Sequence, residues 1–126
     1  MPDPYRCLIT GSRNWTDQDA IHNAIADTVR DVPADQELVI VHGLCPRGAD
    51  AIADEWARKY GATVERHPAN WQLEGKRAGF IRNARMVNLG ADVCLAFVRN
   101  GSRGASHTAA LAERAGIPTR RFEVNS

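Results

Sequence analysis

Short apolar runs alternate along this chain with longer stretches in which apolar residues recur every three or four positions. That alternation constrains its fold more than any other feature. Five runs have the length and composition of strands: Tyr5–Thr10, Glu37–His42, Ala62–Arg66, Asp92–Val98 and Thr119–Val124. The second and fourth, with Leu-Val-Ile-Val and Val-Cys-Leu-Ala-Phe-Val, are apolar on both faces, as strands are in the middle of a sheet covered on both sides. Between the runs lie four helical stripes. Ile21, Ala24, Ile25, Thr28, Val29 and Val32 form the first, and Ala49, Ile52, Ala53, Trp56, Ala57 and Tyr60 the second and cleanest. Phe80, Ile81, Ala84 and Val87 form the third, and Thr108, Leu111, Ala112 and Ala115 the fourth.

Local punctuation supports these boundaries. Thr16, followed by Asp17 and Asp19, supplies a hydroxyl cap and early negative charge at the first helix start. Gly61, Gly90 and Gly116 each follow a stripe, where a left-handed C-terminal cap is wanted, and Pro118 forbids continuation. No linker, repeat or low-complexity tract interrupts the pattern. A βαβαβαβαβ order with short connections implies a parallel sheet with right-handed crossovers. The expected fold is α/β: a single doubly wound, Rossmann-like domain over residues 1–126, with a mainly parallel five-stranded sheet. At 126 residues such a domain buries roughly two-thirds of its unfolded surface without staples.

Charge narrows the function classes. The chain carries 16 basic and 15 acidic side chains, a formal net charge of +1, which removes the footprint of a DNA-coating protein. The basic set is lopsided, with fourteen Arg against Lys59 and Lys76 alone. The longest apolar runs fall far short of the roughly 20 residues of a spanning helix, so no membrane partner is expected. The start, Met-Pro-Asp-Pro, has no basic-then-apolar leader, and the expected location is the cytoplasm. Of three Cys, Cys7 and Cys94 sit in apolar runs as small hydrophobes, which argues against a disulfide framework. Cys45 lies instead in a polar, glycine-flanked loop.

In open α/β sheets ligands bind beyond the carboxyl ends of the strands, and the unusual residues of this chain fall there. Gly11, Ser12 and Arg13 follow the first strand; His42, Gly43, Cys45, Arg47 and Asp50 follow the second. Trp71 and then Arg82-Asn83 follow the third, and Arg99 to Thr108 follow the fourth. Gly101–Thr108, with Gly101, Ser102, Gly104, Ser106 and Thr108, suits a phosphate drawn to free backbone N–H groups at a helix start. Arg13, Arg82 and Arg103 offer bidentate forks. Trp15 and Trp71 are either planar walls for a base or lids on the core. Asp50 either accepts from ribose hydroxyls or caps its helix, and His42 either orders its loop or faces the pocket. No loop spells a Walker sequence or GxGxxG, which disfavours ATP hydrolysis and ordinary NAD binding, and no cofactor is expected. His42-x-x-Cys45, with His67 and His107, lacks the spacing of a zinc site, and none is expected. A Cys45–His42 nucleophile pair would need a cation to depress the thiol pKa.

Together Gly11-Ser12-Arg13, His42-Gly43-x-x-Pro46-x-Gly48-Ala49-Asp50, Pro68-Ala69-x-Trp71, Gly79-x-x-Arg82-Asn83-x-x-Met86 and Phe97-x-x-x-Gly101-Ser102-x-Gly104 resemble the YspA-type family of the SLOG superfamily, from about Tyr5 to Val124. The resemblance implies a Rossmann-like domain akin to the Lonely Guy phosphoribohydrolases and DprA, binding a nucleotide or nucleotide-derived signal. Some such domains are carried by phages or act in anti-phage systems. It also implies pairing through helices into a homodimer. Against the Lonely Guy pattern, Arg82 stands in the catalytic arginine position and Asn83 replaces Lys. Asn100–Thr108 is similar to the PGGxGTxxE loop, but Thr108 stands where the glutamate should be. N-glycosidic cleavage develops oxocarbenium character that a carboxylate stabilises and threonine does not. The favoured expectation is therefore a nucleotide-binding domain. The first alternative is a nucleoside-monophosphate N-glycosidase using Arg82 with Glu74 or His107. The second is single-stranded DNA binding in the manner of DprA, weakened by the small net charge.

Overall fold

A computed structural model of the chain describes residues 3–125; Met1 and Pro2, the first half of the Met-Pro-Asp-Pro start, and Ser126 lie outside the described residues. Five strands form one sheet: β1 (Asp3–Gly11), β2 (Gln36–His42), β3 (Thr63–Arg66), β4 (Val93–Arg99) and β5 (Thr119–Val124). All pair in parallel, in the order β3-β2-β1-β4-β5. The helices are α1 (Gln18–Asp31), α2 (Ala49–Tyr60), a single turn α3 (Trp71–Glu74), α4 (Ala78–Asn88) and α5 (Arg103–Arg114). The expected doubly wound α/β fold is present, and each expected strand lies within a residue or two of an observed one.

Side-chain alternation along the central strands divides the core. Cys7, Ile9, Leu95 and Phe97 point to one face, where Ile21, Ala24 and Ile25 of α1 and Ala49, Ile52, Ala53 and Ala57 of α2 cover them. Leu8, Val39, Val41 and Cys94 point to the other, under Met86 and Val87 of α4 and Ala112 of α5. Ala96 and Val98 meet Ala105 and Ala109 there. The chain thus winds from β1 to β2 and β3 over one face, then crosses to β4 and β5 over the other. The connections leaving β1 and β4 go to opposite faces, and the ends of these neighbours part to leave a crevice.

Two local expectations need correction, and the open alternative for Trp15 falls to the core. Asp17, not Thr16, caps α1: its carboxylate accepts from the Ala20 N–H at 3.1 Å. Trp15 is no stacking wall, because it is buried edge-on against Phe97 with its indole N–H on the Asp17 carbonyl. The stripe expected to bury α4 is out of phase. Phe80 is exposed, and the buried face is Ala78, Arg82, Asn83, Met86 and Val87. Met86 and Val87 join the core under the sheet, while Gly79, Phe80, Arg82 and Asn83 of the first turns face the crevice. Trp56 is half-buried against the core, as its stripe implies.

The turn from β2 into α2 rests on Gly48. Its φ of +79° is left-handed, and a Cβ there would overlap the Ser12 carbonyl and sit 2.7 Å from Arg13 backbone atoms. Strain and backbone overlap together cost on the order of 3 kcal/mol. Gly48→Ala is expected to lower the melting temperature by about 10 °C in a circular dichroism melt.

Candidate functional site

The crevice is a cleft of about 540 Å³ beyond the ends of β1 and β4. Ile9, Thr10 and Gly11 form its floor. Gly79, Arg82, Asn83 and Met86 of α4 line one flank; Arg99, Asn100, Ser102 and Gly104, where β4 turns into α5, line the other. Arg13, Cys45, Arg47, Asp50, Trp71 and Lys76 surround the mouth.

Arg82 is the innermost cation, with 6% of its surface exposed. Its Nε donates to the Asn83 carboxamide oxygen at 2.7 Å, and Nη1 donates to the carbonyls of Gly43 and, at 3.4 Å, His67. Nη2 and the Asn83 amide nitrogen have no protein acceptor among the described residues. Gly43 is required here because a Cβ would occupy the space of the guanidinium. The hydrogen bonds of Arg82 among the described residues all go to neutral acceptors, and Asp50 acts on it only through space, so a permanent charge this deep in the cleft attracts an anion.

The loop that presents Gly43 is held from behind. His42 is buried, and its Nδ1 accepts from the Leu44 N–H at 2.9 Å, so the proton sits on Nε2 and is donated to Asp54 Oδ2 at 2.7 Å. Asp54 also accepts from Arg58 and Arg66 at 2.9 and 2.7 Å, tying the end of β2 to α2 and β3. The Arg66 hydrogen bond, with help from His42, holds the Asp54 carboxyl down at about 2. Asp50 turns back to accept from the N–H groups of Gly43 at 3.1 Å and Cys45 at 3.4 Å, and burial pushes its pKa up. His42 therefore orders its loop and does not face the cleft. The Cys45–His42 nucleophile pair is absent, since both ring nitrogens bond elsewhere and burial, followed by Asp50, pushes the Cys45 thiol up.

On the opposite flank the Arg99 side chain donates from Nη1 to the Asn14 carbonyl at 2.7 Å, while its buried Nε has no partner among the described residues. Ser102 is the N-cap of α5 but makes no side-chain capping bond. A Cβ on Gly104 would meet open space. At the mouth, Trp71 is half exposed, with the Arg13 guanidinium carbon 5.7 Å from its ring centroid.

Not every expected site residue meets here. Ser12 is buried and knits loops together: its hydroxyl accepts from the Arg99 N–H, and its carbonyl accepts from Trp15 and Ala49. Thr108 is fully buried and donates to the Gly104 carbonyl. Gly101, Arg103 and Ser106 do not line the cleft, and Gly101 instead makes the left-handed turn before α5. Glu74 borders a separate hollow with Arg85, and His107 lies outside against Phe80, ring centroids 5.1 Å apart. Conversely, Lys76 and Asn14 line the cleft although no motif gives them a role, and only their position after a strand points to Arg47 and Arg99. Gly79, Arg82, Asn83 and Met86 share one helical face by their spacing of three and four, a signal that counting apolar residues alone passes over.

The cations sort by location. Among the described residues, seven of the fourteen arginines pair with carboxylates: Arg6 with Glu65, Arg30 and Arg120 with Asp27, Arg58 and Arg66 with Asp54, Arg85 with Glu74, and Arg121 with Glu113. None of these lines the cleft. Arg13, Arg47, Arg82, Arg99 and Lys76 do, and none has a carboxylate partner among the described residues. Asp50 is the one acidic residue on the wall. Among the described residues, no group of three or more His, Cys, Asp or Glu is set to hold a metal, and no helix is long and apolar enough to cross a membrane.

Fold and cleft together define a doubly wound α/β domain with a cationic crevice at its switch point. The family model described as YspA, cpYpsA-related SLOG matches residues 5–73. The chain belongs to that family. It is also 47% identical over 122 residues to the "Gene 61 protein" of Mycobacterium phage D29, an alignment covering 93% of this chain and 95% of that one. No solved structure matches. The family match takes in the loops after β1, β2 and β3; Arg82 and the start of α5 lie beyond it, within the span over which the sequence resembles SLOG proteins.

Asp54 yields a prediction in acid. Its carboxyl sits at about 2 when folded against 3.8 ordinarily, so its contribution is full above about pH 4 and lost as pH falls through 2. The contribution is about 2 kcal/mol. Asp54→Asn is expected to lose about that much at pH 7 and to show a flatter decline between pH 4 and 2, measured by urea unfolding at a series of pH values.

Proposed function

We propose that the protein is a small cytoplasmic domain that captures a phosphorylated nucleotide or nucleotide derivative, in order to sense, sequester or present it. The observation that carries this reading is the segregation of charge. Outside the cleft, most arginines are paired with acids; on its walls five cations stand without acid partners among the described residues, around a space of ligand size. Arg82 Nη2 and the Asn83 amide are free to bind phosphate from one side. Trp71, with Arg13 beside it, offers an aromatic surface to a base. Membership of a SLOG family supports the same class of ligand.

Cleavage of the N-glycosidic bond is the weaker reading. It needs a carboxylate beside the sugar, and Glu74 and His107 both lie off the cleft. The carboxylate that is on the wall, Asp50, is engaged by two backbone N–H groups.

Isothermal titration with a panel of nucleoside monophosphates tests the proposal. Saturable binding is expected, weakened roughly 10- to 100-fold by Arg82→Ala, in line with loss of a charge-assisted hydrogen bond. Trp71→Ala, at an exposed position, is expected to weaken it without lowering the melting temperature. Chromatography of the same mixtures should return the nucleotide intact. Release of free base, or tighter binding of long single-stranded oligonucleotides than of any mono- or dinucleotide, would overturn the proposal.

A further inference from the structure

The cleft's cations are not gathered at one point. β2 and β4 lie on either side of β1, so their ends are two strand spacings apart, about 10 Å. Arg82 donates to the carbonyl of Gly43, just beyond β2, and presents Nη2; Asn83 presents its amide beside it. Both are more than nine-tenths buried, and neither presented nitrogen has an acceptor among the described residues. Arg99 closes β4 and lines the cleft, and its Nε has no partner among the described residues. Next to it α5, twelve residues long, begins without a side-chain cap, and Gly104 leaves its first turn open on the cleft. Uncapped N–H groups at the positive end of a helix attract an anion.

We infer that the ligand carries two phosphoryl groups set apart on the molecule, as in a nucleoside bisphosphate or a dinucleotide. One is held at Arg82 and Asn83, the other at Arg99 and the first turn of α5. This rests on the nucleotide-binding reading above and sharpens it. Charge-assisted bonds form at about 2.8 Å, so a single phosphoryl group satisfies one end of the cleft and leaves the other cationic and unneutralised. Adjacent phosphates of a diphosphate supply the charge but not the span. The floor between the two ends is Ile9, Thr10 and Gly11, which offers no charge of its own, and Trp71 stands at the mouth for the base.

The experiment is isothermal titration of the whole chain with adenosine and guanosine in four forms: 5′-monophosphate, 5′-diphosphate, 3′,5′-bisphosphate and the 5′-phosphorylated dinucleotide. The bisphosphate or the dinucleotide is expected to bind at least tenfold more tightly than both the monophosphate and the diphosphate; whichever does so names the ligand's type. Arg99→Ala is expected to shrink that ratio to less than twofold. Gly104→Asp, which sets a carboxylate at the open first turn, is expected to do the same through a different residue. If the monophosphate binds and the bisphosphate and dinucleotide bind no more tightly, the two-phosphate inference falls while the binding function stands. If the diphosphate equals them, spacing is irrelevant and the inference falls as well. If none of the four binds, the nucleotide reading itself falls.

Discussion

The hydrogen bond from Arg82 to the Gly43 carbonyl is the constraint on which the site depends. It brings a permanent charge from α4, on one face of the sheet, to the loop leaving β2 for the opposite face. A guanidinium can lie there only because residue 43 has no Cβ, and the loop keeps its course only because other groups hold it. Asp50 takes the N–H of Gly43, His42 takes that of Leu44, and Asp54 fixes His42. An arginine in the cleft is therefore positioned by an aspartate on the far side of the loop that never touches the cleft.

The two aspartates of α2 have opposite fates for one physical reason. Asp54 meets two guanidinium groups and an imidazole N–H, and these outweigh its partial burial, so its charge is secured. Asp50 is more deeply enclosed, and burial outweighs the help it receives from His42, from the backbone N–H and thiol of Cys45 and from Arg82. Four residues along one helix separate a structural anion from a carboxylate poised at the cleft wall. The network around Asp54 also ties down β3, a strand of four residues at the sheet edge.

The fold is legible in the sequence because two independent periodicities, strand runs and helical stripes, alternate without interruption. The site is legible only by location. Rules for open α/β sheets direct attention to the strand ends, and Gly11, Arg13, Gly43, Asp50, Arg82 and Asn83 lie at or around the crevice. What a one-dimensional pattern does not carry is the direction in which a loop residue points. Ser12 and Arg13 are neighbours, yet one is locked beneath the loops and the other stands at the mouth. The phase of α4 is hidden for a related cause: its first turns cover a cleft, so the buried face there is polar, Arg82 and Asn83, while Phe80 lines the cleft with nearly half its surface exposed. Trp15 and Trp71 follow equally polar loops, and only three-dimensional packing against Phe97 distinguishes a core tryptophan from an exposed one.

The pairing of half the arginines with acids has a consequence for selectivity by range. In salt of physiological strength an exposed charge is felt over about 8 Å, and the outer surface is near balance. A long polyanion approaching from a distance finds little field to follow, and is neither drawn in nor retained by loose contacts. A small anion that diffuses into the crevice passes inside the screening length of five cations at once. A net charge of only +1 thus conceals a strongly cationic crevice that acts on anions at short range and not at long range.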